Sequence, residues 1–432
     1  MASKTGEKWL IFSYAANLDG MAASQHLDDR LPHFQSQGIT PILLSGVCGV
    51  ASPGVDHLRI PSMAPSGIRF ESRYWWRRRV TSKPLRSVLS FLTLWPVLIL
   101  YVIEKIFLNL ESQWSWFILA SWRGKRICHE QEISVIYSTG GSASAHVAAS
   151  KVARSTGIPW MAEFQDPLVH PAMGRNRRSV QLYERVERLV AMEATRVVFL
   201  TEEARRRFDK RTGGVGKCCV IYPGSNPRPL APGPHQRAAR CRFAHAGTLA
   251  GSRNLRGFLA GLELVLKRHP EWKEQIEVRL YGHMDGGMRT MVQEFPFANI
   301  VHDFGRLPRL EALQAMGQCD VLLLVQNAED VSRETIPSKV YEYLFAGRPV
   351  FGLIYDNPEL RGLLVQHGHL AREMGDSEGV RDDIEYMVEQ WRNNFTSLKP
   401  SPHSSLTVRA AVTRLVEEMR MVVTERKSLP RA

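Results

Sequence analysis

The sequence predicts an α/β protein of two halves, each a parallel sheet covered by helices on both faces. Three observations predict it. Short apolar runs alternate with helix-length stretches along most of the chain. The alternation stops at residues 225–236, SNPRPLAPGPHQ, and restarts after them, as expected of a linker between domains. The chain has 432 residues, 44% of them hydrophobic and 23% charged, enough to bury ordinary cores without covalent staples.

In the first half, residues 1–224, strand-like WLIFSYAA is followed by a loop holding Gly20 and a helix over 24–37. An apolar run at 39–44 comes next. After an interruption the rhythm resumes with a strand at 133–141, a helix at 143–155 and a strand ending at Pro167. A helix over 180–193, VVFL at 197–200 and CCVIYPG at 218–224 complete this half. The second half, residues 237–400, repeats the pattern. Its strands fall at 242–247, 276–282, 299–305, 320–325 and 349–354, with helices at 254–267, 309–318 and 338–345. Residues 401–432 read as a C-terminal helix placed to cross back to the first half.

Six cysteines stand without C-x-x-C pairing or a zinc-ligand pattern, so they read as reduced thiols of a cytosolic protein. The N-terminus lacks the make-up of a secretory signal and reads as a first strand. The formal net charge of +13 favours an anionic partner. No helix-turn-helix, zinc-finger or RNA-binding aromatic pattern accompanies that charge, which argues against nucleic acid.

The interruption, residues 66–124, is basic and then apolar. Arg69, Arg73, Arg77, Arg78, Arg79, Lys83 and Arg86 crowd around Tyr74, Trp75 and Trp76. Residues 87–103, SVLSFLTLWPVLILYVI, carry no charge but are short for a bilayer and hold Pro96 centrally. A membrane-surface segment, a buried helix and a true span all fit this composition. The surface reading is preferred, because a span would put strands of one sheet on opposite sides of a bilayer.

The sharpest motif is ETIPSKVYEYLFAGRPV at 334–350. Glu334 falls in a loop after the DVLLLV strand, and Glu342 on the next helix. Pro337 suits a first helical turn, whose free N–H groups and dipole attract a diphosphate. Lys339 adds charge at that spot, Glu342 offers a carboxylate to ribose hydroxyls, and Glu334 one to sugar hydroxyls. No Asp-x-Asp motif sits at a strand end, so this reading requires no divalent metal. On the first half, His146 after the STGG loop and Asp166 beside Pro167 sit where open α/β sheets bind ligands, and are candidates for the acceptor side.

With its Ser-Lys, Glu-Tyr and Gly-x-Pro-Val elements in register, this motif resembles the E-x7-E region of retaining family-4 glycosyltransferases of the GT-B fold. HAGTLAGSRNL at 245–255, VHDFGRLPRLEALQAMGQCDVLLLV at 301–325 and TGGSASAHVAASKVARSTGIPWMAEFQDP at 139–167 resemble neighbouring parts of that family. The likeness spans nearly the whole chain except 66–124. It implies two Rossmann-like domains facing each other across an interdomain cleft, the first binding acceptor and the second a nucleotide-sugar donor. It implies sugar transfer, with retention, from a nucleoside diphosphate to a hydroxyl of a lipid-linked or polysaccharide acceptor. The enzyme would need no cofactor and would work at the cytoplasmic face of an anionic membrane. By resemblance, Glu334, Lys339 and Arg253 are catalytic, while Glu342, Gly247, Thr248, Gly20, Ile336 and Ser338 bind the donor. Thr248 stands where many members carry an arginine, which shifts that charge to Arg253. A sugar-nucleotide epimerase or a non-catalytic relative of the same fold are the alternatives.

Overall fold

The computed structural model describes residues 6–18, 21–214, 216–226, 237–393 and 404–428. The chain forms two compact units, one of residues 1–223 with 408–432, the other of residues 224–407.

Unit 1 holds a seven-stranded sheet in the order β3-β2-β1-β4-β5-β6-β7, every pair parallel. In chain order its elements are β1 (Glu7–Phe12), α1 (Ala22–Ser36), β2 (Ile39–Ser45), β3 (Asp56–Arg59), α2 (Pro65–Arg77), α3 (Lys83–Leu94), α4 (Leu98–Phe107) and α5 (Trp116–Glu130). There follow β4 (Val135–Gly140), α6 (Ala143–Thr156), β5 (Trp160–Phe164), α7 (Arg177–Glu193), β6 (Arg196–Phe199), α8 (Glu202–Thr212) and β7 (Cys218–Val220). Side chains alternate across a strand, and β1 shows it. Leu10 and Phe12 enter the core under α5 and α6, while Trp9 and Ile11 enter a second core on the opposite face. That second core is closed by the last helix of the chain, Val408–Ser428, through Val412, Leu415, Val416 and Met419.

Unit 2 holds six parallel strands in the order β10-β9-β8-β11-β12-β13. Its elements are β8 (Cys241–Ala246), α9 (Arg256–Arg268), β9 (Ile276–Tyr281), α10 (Gly286–Glu294), β10 (Val301–Gly305), α11 (Arg309–Gly317) and β11 (Val321–Val325). Then come α12 (Lys339–Leu344), β12 (Val350–Ile354), α13 (Pro358–Gln366), β13 (Leu370–Glu373) and α14 (Ser377–Arg392); the helix closing unit 1 is α15. Every residue of β11 and β12 is buried, as continuous apolar runs covered on both faces require. The chain leaves unit 1 between residues 223 and 224 and returns between 407 and 408. Ser225 and Thr407 bridge there as parallel neighbours. Most of the stretch expected as a linker, 227–236, lies outside the described residues.

Candidate functional site

Open α/β sheets bind ligands beyond the carboxyl ends of their strands, where the strand order reverses. In unit 2 that place lies between β8 and β11. Three segments of the expected site meet there: the loop after β8, the loop after β11, and α12.

Glycine makes the first segment possible. The backbone N–H of Gly247 donates to the carbonyl of Tyr281 at 2.7 Å, and that of Gly282 to the carbonyl of Gly305 at 2.6 Å, so three strand ends crowd together. A Cβ on Gly282, whose φ is +140°, would lie 1.8 Å from the Gly247 carbonyl oxygen. A Cβ on Gly247 would lie 2.8 Å from Cε of Lys339 and 3.1 Å from Nε2 of His245. Backbone, lysine and histidine thus share one point.

Tyr343 puts Lys339 there. Its buried hydroxyl accepts the backbone N–H of Ala246 at 3.0 Å, pinning α12 to the end of β8. Lys339 lies four residues earlier, one turn along the same face, and so reaches over Gly247. Burial lowers the Lys339 pKa; Glu342 opposes that shift, while Arg253 and Arg309 add to it. His245 Nδ1 lies 2.9 Å from the Leu323 carbonyl, which marks Nδ1 as the protonated nitrogen. Burial, with smaller help from Lys339 and Arg253, pushes His245 down to about 4, so the ring is neutral. Its Nε2 lone pair is buried without a hydrogen-bond partner.

Arg253 hangs from the loop after β8. The loop is tied across to the segment after β11, because Ser252 Oγ donates to Glu329 at 2.7 Å. Burial lowers the Arg253 pKa and Glu329 opposes it. Arg253 Nε is buried without a hydrogen-bond partner. A buried guanidinium nitrogen left unsatisfied is costly, and an anionic ligand would satisfy it.

The segment from 326 to 338 is held by two amides. Gln326 Nε2 donates to the carbonyls of Ser332 and Thr335 at 2.6 and 3.2 Å, and Asn357 Nδ2 to the same carbonyls at 2.8 and 3.0 Å. Glu334 sits between those residues and is buried. Glu342 is turned toward α11, where Arg309 Nη2 binds its Oε1 at 2.6 Å. A ligand hydroxyl at Glu342 must share the carboxylate with Arg309 or displace it.

Of the sequence-derived donor residues, the structure therefore brings Gly247 and Lys339 to one point, within electrostatic reach of Arg253, with Glu342 bonded to Arg309. Thr248 is exposed, and Ile336 and Ser338 are half-buried on the approach to α12. Gly20 lies outside the described residues. One local expectation needs correcting. The helix expected over 338–345 is six residues long, Lys339–Leu344, and Ser338 makes no side-chain cap. So short a helix has little macrodipole, and the charge at this point comes from Lys339 and Arg253. Sequence reasoning missed His245, Arg309, Gln326 and Asn357. Only His245 carried a signal, as a polar residue inside an apolar strand run.

Unit 1 reverses its strand order between β1 and β4. Asp166 stands beside Gly141, with Oδ2 3.7 Å from where a Cβ would be. It is solvent-accessible, yet its carboxylate is crowded enough that desolvation raises its pKa against the pull of Arg175. His146 is fully buried, its Nδ1 2.9 Å from Ser138 Oγ and its ring 4.7 Å from Phe164. It faces the core in this structure, because α6 presents it to the sheet. Beneath the strand ends lies a second feature unseen in the sequence. Buried Glu163 pairs with buried Arg30 and accepts from Thr139 at 2.8 Å and from Tyr137. Burial alone would raise the Glu163 pKa, but Arg30 together with the hydrogen bonds from Tyr137 and Thr139 outweighs it and the net shift is downward.

Comparisons with known proteins bear on the fold. Residues 52–224 match the family described as glycosyl transferase 4-like domain. Among solved structures, HepE from Anabaena in complex with UDP-glucose is similar at TM-score 0.57 and 13% identity, covering 98% of this chain and 100% of that one. The α,α-trehalose 6-phosphate synthase of Burkholderia multivorans is similar at TM-score 0.60 and 12% identity, covering 98% and 100%. The apo lipopolysaccharide outer core galactosyltransferase WaaB is similar at TM-score 0.57 and 10% identity, covering 97% and 99%. A comparison with curated protein sequences gives no match. The chain has the GT-B fold, and its residues 52–224 are similar to the glycosyl transferase 4-like domain.

Proposed function

We propose that this protein is a glycosyltransferase that moves a sugar from a nucleoside-diphosphate sugar to a hydroxyl of a lipid-linked or polysaccharide acceptor. The reading is supported most by the meeting of Lys339 and Gly247 at the strand-order reversal of unit 2, with Arg253 within electrostatic reach and its Nε buried and unsatisfied. Cations that the fold desolvates suit a ligand that carries concentrated negative charge. Similar folds support it too: HepE binds UDP-glucose.

In the reaction the bond from the anomeric carbon to the diphosphate oxygen breaks, one to the acceptor oxygen forms, and the acceptor's hydroxyl proton passes to the departing diphosphate. Charge builds on the departing diphosphate, where Lys339 and Arg253 stabilise it in a low-dielectric setting. Glu342 takes ribose hydroxyls and Glu334 the donor sugar. Gly247 lets the phosphates approach the backbone, with Thr248, Ile336 and Ser338 around them. Asp166 orients the acceptor, and His146 supports that side through packing. The reading assigns retention at the anomeric carbon, no metal ion, no cofactor and no side-chain nucleophile. It places the protein at the cytoplasmic face of a membrane, peripherally bound.

The test is a thermal-shift screen of nucleoside diphosphates and their sugar conjugates, followed by turnover of any that bind. A specific donor raises the melting temperature by mass action, and Glu342→Ala, still folded, loses that shift. No shift from any member and no transfer would sink the proposal. An epimerised donor without transfer would replace it with the epimerase reading.

A further inference from the structure

Residues 83–107 form a 25-residue helical stretch that holds an 18-residue window of mean hydropathy 1.9, only 17% of it buried. Its surroundings say what covers it. Ser66 bonds Glu104, Arg69 bonds Tyr101, and Trp76 Nε1 donates to Thr93 at 3.0 Å. The partners run in opposite order, so α2 lies antiparallel along α3 and α4, which continue through a short 3-10 turn at Trp95–Val97 as one rod of roughly 37 Å. Away from α2 the rod presents Leu85, Val88, Leu92, Trp95, Ile99, Val102 and Ile106, all exposed and spaced three or four residues apart. That is one unbroken apolar stripe down the length of the rod.

Both ends return to unit 1. β3 before it pairs with β2 in the sheet, and Trp116 and Ala120 of α5 after it lie in the core. Arg178 of α7 donates to the carbonyls of Ile106 and Phe107 at 2.6 and 2.7 Å, fixing the far end of the rod. A crossing would also drag Arg69, Glu71 and Arg73 of α2 into hydrocarbon.

The charges are sorted by direction. Residues 66–124 hold nine cations and three carboxylates. Glu71 is buried against Tyr14 and Ser62, Glu104 is buried against Ser66 and Trp114, and Glu111 bonds Tyr183. Arg73, Arg77, Arg78, Arg79 and Lys83 are exposed, with Arg79 stacked 3.8 Å over Trp75. The carboxylates face in and the cations face out. A second copy of this chain would bring two faces of the same sign together.

We infer that the α3–α4 rod lies in the plane of an anionic lipid surface, its stripe sunk to the headgroup–acyl boundary and the Arg77–Arg79 turn among the lipid phosphates. This gives the peripheral binding proposed above a specific geometry. Lipid binding alone reads it out, so its fate and that of the donor site are separable.

The test uses the full chain and vesicles of phosphatidylcholine, with or without phosphatidylglycerol, in a flotation assay. The protein floats with anionic vesicles, at least tenfold better than with neutral ones, and salt weakens it. Each arginine of 77–79 changed to serine costs roughly fivefold. Ile99→Asp with Leu92→Asp abolishes flotation while melting temperature and circular dichroism hold, because both side chains are exposed. An impermeant maleimide then labels Ser82→Cys and Asn109→Cys alike, above the parent chain, in sealed vesicles. Equal flotation with neutral vesicles, or none with either, overturns the inference. So does labelling of only one cysteine, which means a span, or a lipid-free dimer that Ile99→Asp dissolves while vesicles go unbound.

Discussion

Lys339→Met offers a test in which stability and binding move in opposite directions. The substitution keeps a long, flexible side chain and removes the charge. In the ligand-free protein that charge is a liability, because burial opposes it and Arg253 and Arg309 repel it, while Glu342, already bonded to Arg309, offsets only part. Replacing a poorly compensated buried charge by an apolar group of similar volume is neutral to stabilising by about 1–4 kcal/mol. We take roughly 1 kcal/mol here, because Lys339 is only half-buried by area. With a nucleoside diphosphate bound, the same ammonium meets a phosphate. A charged hydrogen bond of about 1.5–3 kcal/mol is then lost, on the order of 10- to 150-fold in affinity. Calorimetric titration with nucleoside diphosphates, beside urea denaturation of the ligand-free protein, measures both quantities. A variant that is less stable and binds as before would refute the reasoning, since Lys339 would then be a structural residue.

Three further outcomes follow from the same geometry. Because burial depresses Lys339, diphosphate binding restores its pKa, so the protein takes up a proton on binding in the alkaline range below the ordinary lysine value. Affinity falls with rising pH there, titrations in buffers of different ionisation heat reveal the uptake, and Lys339→Arg abolishes it. Gly247→Ala pushes against the flexible end of Lys339 and weakens donor binding, with a smaller loss of melting temperature than Gly282→Ala, which meets backbone at 1.8 Å. Equal effects of the two would contradict the placement. His146 and His245 are both pushed from 6.5 to about 4 by burial, so the unfolded chain binds more protons between those values. Stability is full above about pH 6.5 and is lost as pH falls toward 4, by up to roughly 3 kcal/mol for each histidine at about 1.4 kcal/mol per pKa unit. Urea midpoints that stay flat across this range would show that the imidazoles are not buried neutral.

The sequence made the sheets legible because parallel strands buried on both faces are continuous apolar runs, and VLLLV in β11 and VFGLI in β12 are runs of that kind. It made Lys339 and Gly247 legible as parts of separate segments. Their meeting was not, because it depends on Tyr343 reaching the backbone of Ala246, a contact 97 residues apart in the chain. The Arg309–Glu342 pair spans 33 residues, and no local spacing announces it. The length of α12 was overestimated, since the apolar positions continue to Phe345 while the backbone stops at Leu344. Composition left the 66–124 segment open among three readings. The antiparallel pairing of α2 with α3 and α4 narrows them, and such pairing is a property of three dimensions.

The most direct measurement is a crystal structure of the protein with a nucleoside-diphosphate sugar. The account expects the diphosphate within salt-bridge reach, about 4 Å, of both Lys339 Nζ and the Arg253 guanidinium, with ribose hydroxyls on Glu342. A nucleotide bound elsewhere, with Arg253 Nε still unsatisfied and no ribose hydroxyl on Glu342, would contradict it.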